Sequence, residues 1–259
     1  GADPSAPVVL VIDELPFLAG SEPAIEGILQ KQWDRQLERE PVLLILIGSD
    51  VSMMEALGGH GRPLFGRLHE MVVRPLSPAA MADLLGLPPA QALDAYLVLG
   101  GFPRLADIWR DGDDLWGFLG RELANPQSPL LVLGERSLHA EFPVEAKARD
   151  VLEAIGAGER SFTAIAQRAG VSARTLETTL DVLIAKRVVE RSVPYSAEAR
   201  PKLSRYAVAD PYLRFWLRFL RDGLPLVERG RGDLVLARIR EAWPTYAGRA
   251  IEPLVREAV

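Results

Sequence analysis

Apolar residues along this chain follow two patterns: unbroken runs near the N-terminus and helical spacing farther on. Val8-Val-Leu-Val-Ile12 is a short run rich in β-branched residues. It reads as a strand buried on both faces, as in a parallel sheet. Residues 22–38 carry Ile25, Ile28, Leu29, Trp33 and Leu37 at helical spacing, and Pro41 closes that helix. Val42-Leu-Leu-Ile-Leu-Ile47 is a second buried run. Strand, helix and strand in that order make a βαβ unit, normally a right-handed crossover. Val51 to Leu57 reads as a helix broken by Gly58-Gly59, and Met71-Val-Val73 as a short strand.

Beyond Pro75 the pattern turns helical. It predicts helices near 77–85, 89–99, 103–110 and 115–123, with residues 125–142 as a connector. Then come helices at about 146–157 and 162–169, a Gly170-Val-Ser172 turn with Ser172 as N-cap, and a helix over 173–186. Leu176, Leu180, Leu183 and Ile184 form the inner face of that last helix. Strands over 188–193 and 203–208 flank the polar loop 194–202. In order and length this is a winged helix-turn-helix. An aromatic helix follows, with Tyr212, Phe215, Trp216 and Phe219 at core spacing, and two more helices reach the end. The expected fold class is therefore α/β, then mostly α. The expected segments are an α/β core over 1–76, a helical part over 77–142, a winged helix-turn-helix over 143–209 and a helical region over 210–259.

Composition changes this picture little. The 259 residues suit two domains, and 48% apolar with 25% charged residues is ordinary for a globular protein. No cysteine is present, which excludes disulfides and thiolate metal sites. No stretch reaches the roughly 18 apolar residues of a membrane span, and the N-terminus is not a signal peptide, so a cytoplasmic protein is expected. Net charge is −5, yet residues 145–209 carry 11 Lys and Arg against 8 Asp and Glu. That mild excess permits nucleic-acid binding without demanding it. His60, His69 and His139 show no ligand spacing.

The chemistry concentrates where the apolar runs end. Asp13 and Glu14 follow the first run. A carboxylate at a strand's C-terminal end can hold hydrated magnesium beside nucleotide phosphates, and a neighbouring one can polarise the attacking water. The bland alternative is a solvated acidic turn. The second run ends in Gly48-Ser49-Asp50. Neighbouring parallel strands end on one edge, where ligands bind in open α/β sheets, so Ser49 is placed to touch a γ-phosphate or water. Its alternative role is a helix N-cap.

Several further motifs carry a resemblance. These are Val11-Ile-Asp-Glu-Leu-Pro16, Leu46-Ile-Gly-Ser-Asp50 with Met53-Met54, Arg62-Pro-Leu-Phe-Gly-Arg67 before Pro75-Leu76, and Gly100-Gly-Phe-Pro-Arg104. Val193-Pro-Tyr195 and the run from Tyr206 through Asp210-Pro-Tyr-Leu-Arg-Phe-Trp216 complete the set. Through them nearly the whole chain resembles the archaeal-type ATPase family, in the STAND branch of the AAA+-related P-loop NTPases. The resemblance implies a partial P-loop core with Walker B and sensor strands, a helical lid and a winged helix. It implies ATP and Mg2+ as cofactors, with Asp13 on the metal and Glu14 as base. Arg62 or Arg67 would face the γ-phosphate, against the alternative of a structural salt bridge. Gly101 and Pro103 would lie at the nucleotide in the lid, with Arg104 as its sensor; Pro103 alternatively just starts a helix.

The family's GxxxxGK[ST] loop does not occur here, and residues 1–7 are too few to hold it. A piece of a longer ATPase is therefore expected, inactive alone, with a degenerate ATPase as the alternative. Tyr246 to Glu257 resembles the start of a nuclease-like domain, with Glu252 at its first acidic position. Two functional readings stay open. One is an ATPase switch coupled to a winged helix. The other is a winged-helix DNA-binding regulator on an ATPase scaffold. The second would place Arg174, Thr175 and Thr178 in the major groove and Arg200, Lys202 and Arg205 on phosphates of double-stranded DNA. A protein partner through the winged helix and the oligomeric state also stay open.

Overall fold

The computed structural model describes residues 6–142, 146–193 and 204–258. They fall into two compact units, one up to Val73 and one from Arg74. The first unit is α/β and the second mostly α, in the order expected.

In the first unit, strand β1 (Val8–Ile12) pairs in parallel with β2 (Val42–Leu46), in a register that sets Val8 against Val42 and Ile12 against Leu46. Helices α1 (Leu15–Ser21) and α2 (Ile25–Arg35) make the crossover. Helix α3 (Val51–Leu57) follows β2, capped by Asp50, whose side chain accepts from the Met53 N–H at 3.0 Å. The cap is thus Asp50 and not Ser49. The spacing over 22–38 predicts one helix; Pro23 and the break at Gln36 confine it to α2 plus a short 3-10 turn.

Two expectations fail here for one reason. The strands are not buried on both faces: Val9, Val11 and Leu43 are each more than half exposed. Met71 to Val73 form no strand, and Met71 and Val73 are over 80% exposed. Burial on two faces needs a layer on each side of the sheet. Among the described residues the sheet has two strands, and nothing pairs with the third apolar segment.

The second unit begins with helices α4 (Pro78–Leu85), α5 (Pro89–Leu99), α6 (Pro103–Ala106) and α7 (Leu115–Leu123). Helix α6 stops four residues short of its expected end. Residues 125–142 are not a connector. They hold α8 (Pro129–Glu141), with Leu130 and Leu131 almost fully buried. Ser128 caps α8 and is itself tied to buried Glu122, whose carboxylate accepts from the Ser128 hydroxyl at 2.6 Å.

Helices α9 (Ala146–Gly156), α10 (Phe162–Ala169) and α11 (Ala173–Ala185) precede an antiparallel pair, β3 (Val189–Ser192) and β4 (Arg205–Val208). Ser172 caps α11 as expected, accepting from the Thr175 N–H at 3.2 Å. Leu176, Leu180 and Leu183 are buried on its inner face. Then come α12 (Pro211–Phe215), a π-helical turn over Trp216–Leu220, α13 (Leu224–Glu228), α14 (Gly232–Ala250) and α15 (Glu252–Ala258).

The aromatic set is core, as its spacing implies. Tyr212, Phe215 and Trp216 are essentially inaccessible. Phe215 meets Phe219, Trp243 and Tyr246 edge-on or tilted, at centroid separations of 5.3–6.4 Å. Each buried polar handle finds a carbonyl. The Tyr212 hydroxyl donates to Leu130 O at 3.0 Å, the Trp216 indole to Leu131 O at 2.8 Å, and the Tyr246 hydroxyl to Leu97 O at 3.2 Å.

Asp210, partly buried at the edge of this core, caps α12, accepting from the Leu213 N–H at 2.6 Å. Burial pushes its carboxyl up to about 6 from 3.8, only partly offset by that N–H and the Arg214 charge. A raised carboxyl favours the protonated folded state. Its stabilisation is complete below the unfolded value and is lost as pH rises through about 6. Acidification from pH ~7 to ~4 should therefore add stability from this group on the order of 3 kcal/mol. Urea unfolding across that range should show this gain missing in Asp210→Asn, which keeps the capping acceptor but cannot titrate.

Candidate functional site

Parallel pairing decides what meets at the C-terminal end of β1 and β2. With Ile12 opposite Leu46, Asp13 and Glu14 leave β1 beside Ile47 and Gly48, and Ser49 follows. The ladder continues past the strands: Ile47 N–H donates to Ile12 O at 2.8 Å and Leu15 N–H to Ile47 O at 2.9 Å. Gly48 is sterically required there. A Cβ on it would lie 2.6 Å from both Pro16 Cδ and Met54 Sδ. The absence of one lets the starts of α1 and α3 close over the strand ends. Asp13, Glu14 and Ser49 are thereby brought to one edge, all three exposed.

Glu14 occupies the left-handed region, with φ 53° and ψ 42°. For a residue with a long side chain that conformation costs on the order of 1–2 kcal/mol. Its own N–H donates to Asp13 Oδ1 at 2.9 Å, and its side chain caps no helix. The turn therefore presents two carboxylates side by side at the sheet edge, at a backbone cost that capping does not repay. Magnesium often takes only one or two protein carboxylates, keeping its waters and the substrate's phosphates as remaining ligands. Asp13 fits such a one-carboxylate share. The described residues hold no cluster of three or more acidic or histidine side chains that would bind a metal by themselves.

The two arginines expected at a γ-phosphate are engaged elsewhere. Arg62 pairs with Glu26, a buried acid whose second oxygen has no hydrogen-bond partner. Arg67 makes a fork on Asp34 at 2.6 and 2.9 Å and also donates to the carbonyls of Pro63 and Phe65. Those contacts hold Asp34 below its usual carboxylate range, the hydrogen bond being the largest cause. Either arginine would have to exchange a partner to reach a phosphate. Nothing in the spacing of Glu26 or Asp34 announced these pairs.

The remaining candidates lie in the second unit. Gly101 packs against Leu76, whose N–H donates to Gly101 O at 3.0 Å. Pro103 opens α6, and Arg104 is exposed on it. Arg174 and Thr178 lie on the exposed face of α11, Thr178 donating back to Arg174 O at 3.1 Å. The Thr175 hydroxyl is shared with Ser172 at 2.9 Å. Arg205 starts β4 and donates to Ser204 O at 3.2 Å. Arg200 and Lys202 lie outside the described residues. Glu252 begins α15 and pairs with Arg160 at 3.6 Å. No described helix is long and apolar enough to cross a membrane.

No family model matches the chain. It is similar to an uncharacterized protein of Methanocaldococcus jannaschii, 25% identical over 252 residues, which is 96% of this chain and 56% of that protein. The chain thus spans little more than half the length of that relative.

Proposed function

We propose that the chain belongs to a nucleotide-driven switch, a P-loop ATPase of the AAA+/STAND type coupled to a winged-helix module. One observation carries the reading: Asp13, a strained Glu14 and Ser49 share the C-terminal edge of two paired parallel strands. In this reading Asp13 holds the hydrated magnesium, the Glu14 carboxylate takes a proton from the attacking water, and Ser49 orients that water. Magnesium supplies charge neutralisation across the β- and γ-phosphates when bound. The order of α9–α11 and the β3–β4 pair supports the winged-helix part. These 259 residues hold no GxxxxGK[ST] loop to cradle a triphosphate, so the activity is proposed for the whole natural protein.

The test is ATP turnover by that protein with Glu14→Gln. Loss of a general base should cut the rate about 100-fold or more while bound nucleotide is retained. Turnover at the parent rate would sink the assignment. The alternative, a DNA-binding regulator, draws on the exposed Arg174 at the start of α11 but leaves the cost at Glu14 without a purpose.

A further inference from the structure

Four arginines from three stretches of the sequence line one cleft in the second unit. The cleft, about 280 Å³, opens between the C-terminal end of α9, strand β4 and the last turns of α14. Arg160, Arg214, Arg218 and Arg249 line it, and no acidic residue does. Its floor is apolar: Ile155, Tyr206, Val208 and Tyr246 are all buried.

The arginines differ in what they have left to give. Arg214 is spent as a strut, donating to the carbonyls of Val208 at 2.6 Å and Ala250 at 3.1 Å and to Glu190 at 3.2 Å. Arg218 makes one bond, from Nη1 to Ala157 O at 3.0 Å, and lies over the Phe219 ring. Arg160 has a long ion pair of 3.6 Å with half-exposed Glu252. Arg249 has no hydrogen bond or ion pair to any described residue. Three arginines with donors to spare therefore border one concave, apolar-floored space. Guanidinium forks match phosphate and carboxylate oxygens, and four arginines against two neighbouring carboxylates, Glu190 and Glu252, leave an excess of positive charge that favours an anion. A cleft of this size matches a small molecule.

We propose that this cleft binds a small organic anion, with a phosphate or carboxylate head on the arginines and an apolar body on Tyr206, Ala207 and Ala242. The site is separate from the sheet edge of the first unit and does not depend on the ATPase reading. An occupant would bridge α9, β4 and α14, and would therefore raise the unfolding temperature by mass action.

The probes are phenyl phosphate, benzoate, inorganic phosphate and phenol, each titrated calorimetrically into the full chain. Phenyl phosphate or benzoate should saturate below about 1 mM. Preference for phenyl phosphate assigns a phosphoryl head, and the reverse a carboxylate. Arg249→Gln and Arg218→Gln should each weaken binding about tenfold, the worth of one charged hydrogen bond. Arg229→Gln, exposed and outside the cleft, should leave it unchanged. Three results would each overturn the proposal. They are no binding of either aromatic anion at about 10 mM, phenol binding as tightly as the anions, and unaltered affinity in both cleft variants. Inorganic phosphate matching phenyl phosphate would remove the apolar body and overturn that part. Unfolding curves of each variant separate a loss of binding from a loss of folding.

Discussion

Trp216→Ala should destabilise the second unit by about 3–5 kcal/mol, measured by chemical unfolding. Trp216 is fully buried at the start of the π-helical turn. Its loss opens a cavity among residues anchored from several directions by Tyr212, Phe215 and α8, so the site can collapse only in part. It also strips Leu131 O of the indole N–H at 2.8 Å. That carbonyl keeps its place in the α8 backbone ladder, so the lost bond adds about 1 kcal/mol and no more. Trp216→Phe keeps most of the ring and loses only the donor, and should cost less than half as much.

A second substitution tests that the contact itself is responsible. A Cβ on Gly134 would lie 2.3–2.5 Å from three atoms of the Trp216 ring. Gly134→Ala should therefore destabilise the wild type, although alanine is the better helix former. In the Trp216→Ala background the ring is gone, and the same methyl should be neutral or stabilising. That change of sign is a coupling energy between contacting residues. Additive effects would mean that α8 and the π-turn do not meet as described.

The contrast between α8 and the other helices shows what the chain makes legible. Helices α3, α4, α5, α7, α10 and α11 were readable because their apolar residues recur at helical spacing between recognisable caps. Helix α8 was not, because Leu130 to Leu133 is an unbroken apolar run followed by Gly134, which matches neither period. Only Ser128-Pro129 signalled a start. The run is continuous because α8 is covered on several sides, and its glycine serves an indole 82 residues away in sequence. At the sheet edge, Asp13, Glu14 and Ser49 were legible because strand ends are local features and parallel pairing then brings them together. The partners of Arg62 and Arg67 lie on α2, more than 30 residues away, and no local pattern encodes such pairs. The arginine cleft was invisible for the same reason. Its four side chains come from a turn after α9, from α12, from the π-turn and from α14.

Gly101→Ala should cost at least about 3 kcal/mol, because its Cβ would meet parts of the chain that cannot yield. The Cβ would lie 2.3 Å from Leu76 O, 2.6 Å from Leu76 N and 2.7 Å from Pro75 Cβ. Two of these are backbone atoms and the third belongs to a proline ring, so relief requires moving the chain. The Leu76 N–H bond to Gly101 O would be lost with it. Gly120→Ala is the matched control: it sits inside α7, where a Cβ meets only Leu236 Cδ2 at 3.6 Å. That change should stabilise by up to about 1 kcal/mol. The pair bears on the lid reading. Close packing on Leu76 is a sufficient reason for glycine at position 101, so inactivity of Gly101→Ala would report on folding, not on a nucleotide. Arg104, exposed two residues into α6, is where the readings part. Arg104→Ala should leave unfolding unchanged, and a fall in ATP turnover by the natural protein would then belong to the lid alone.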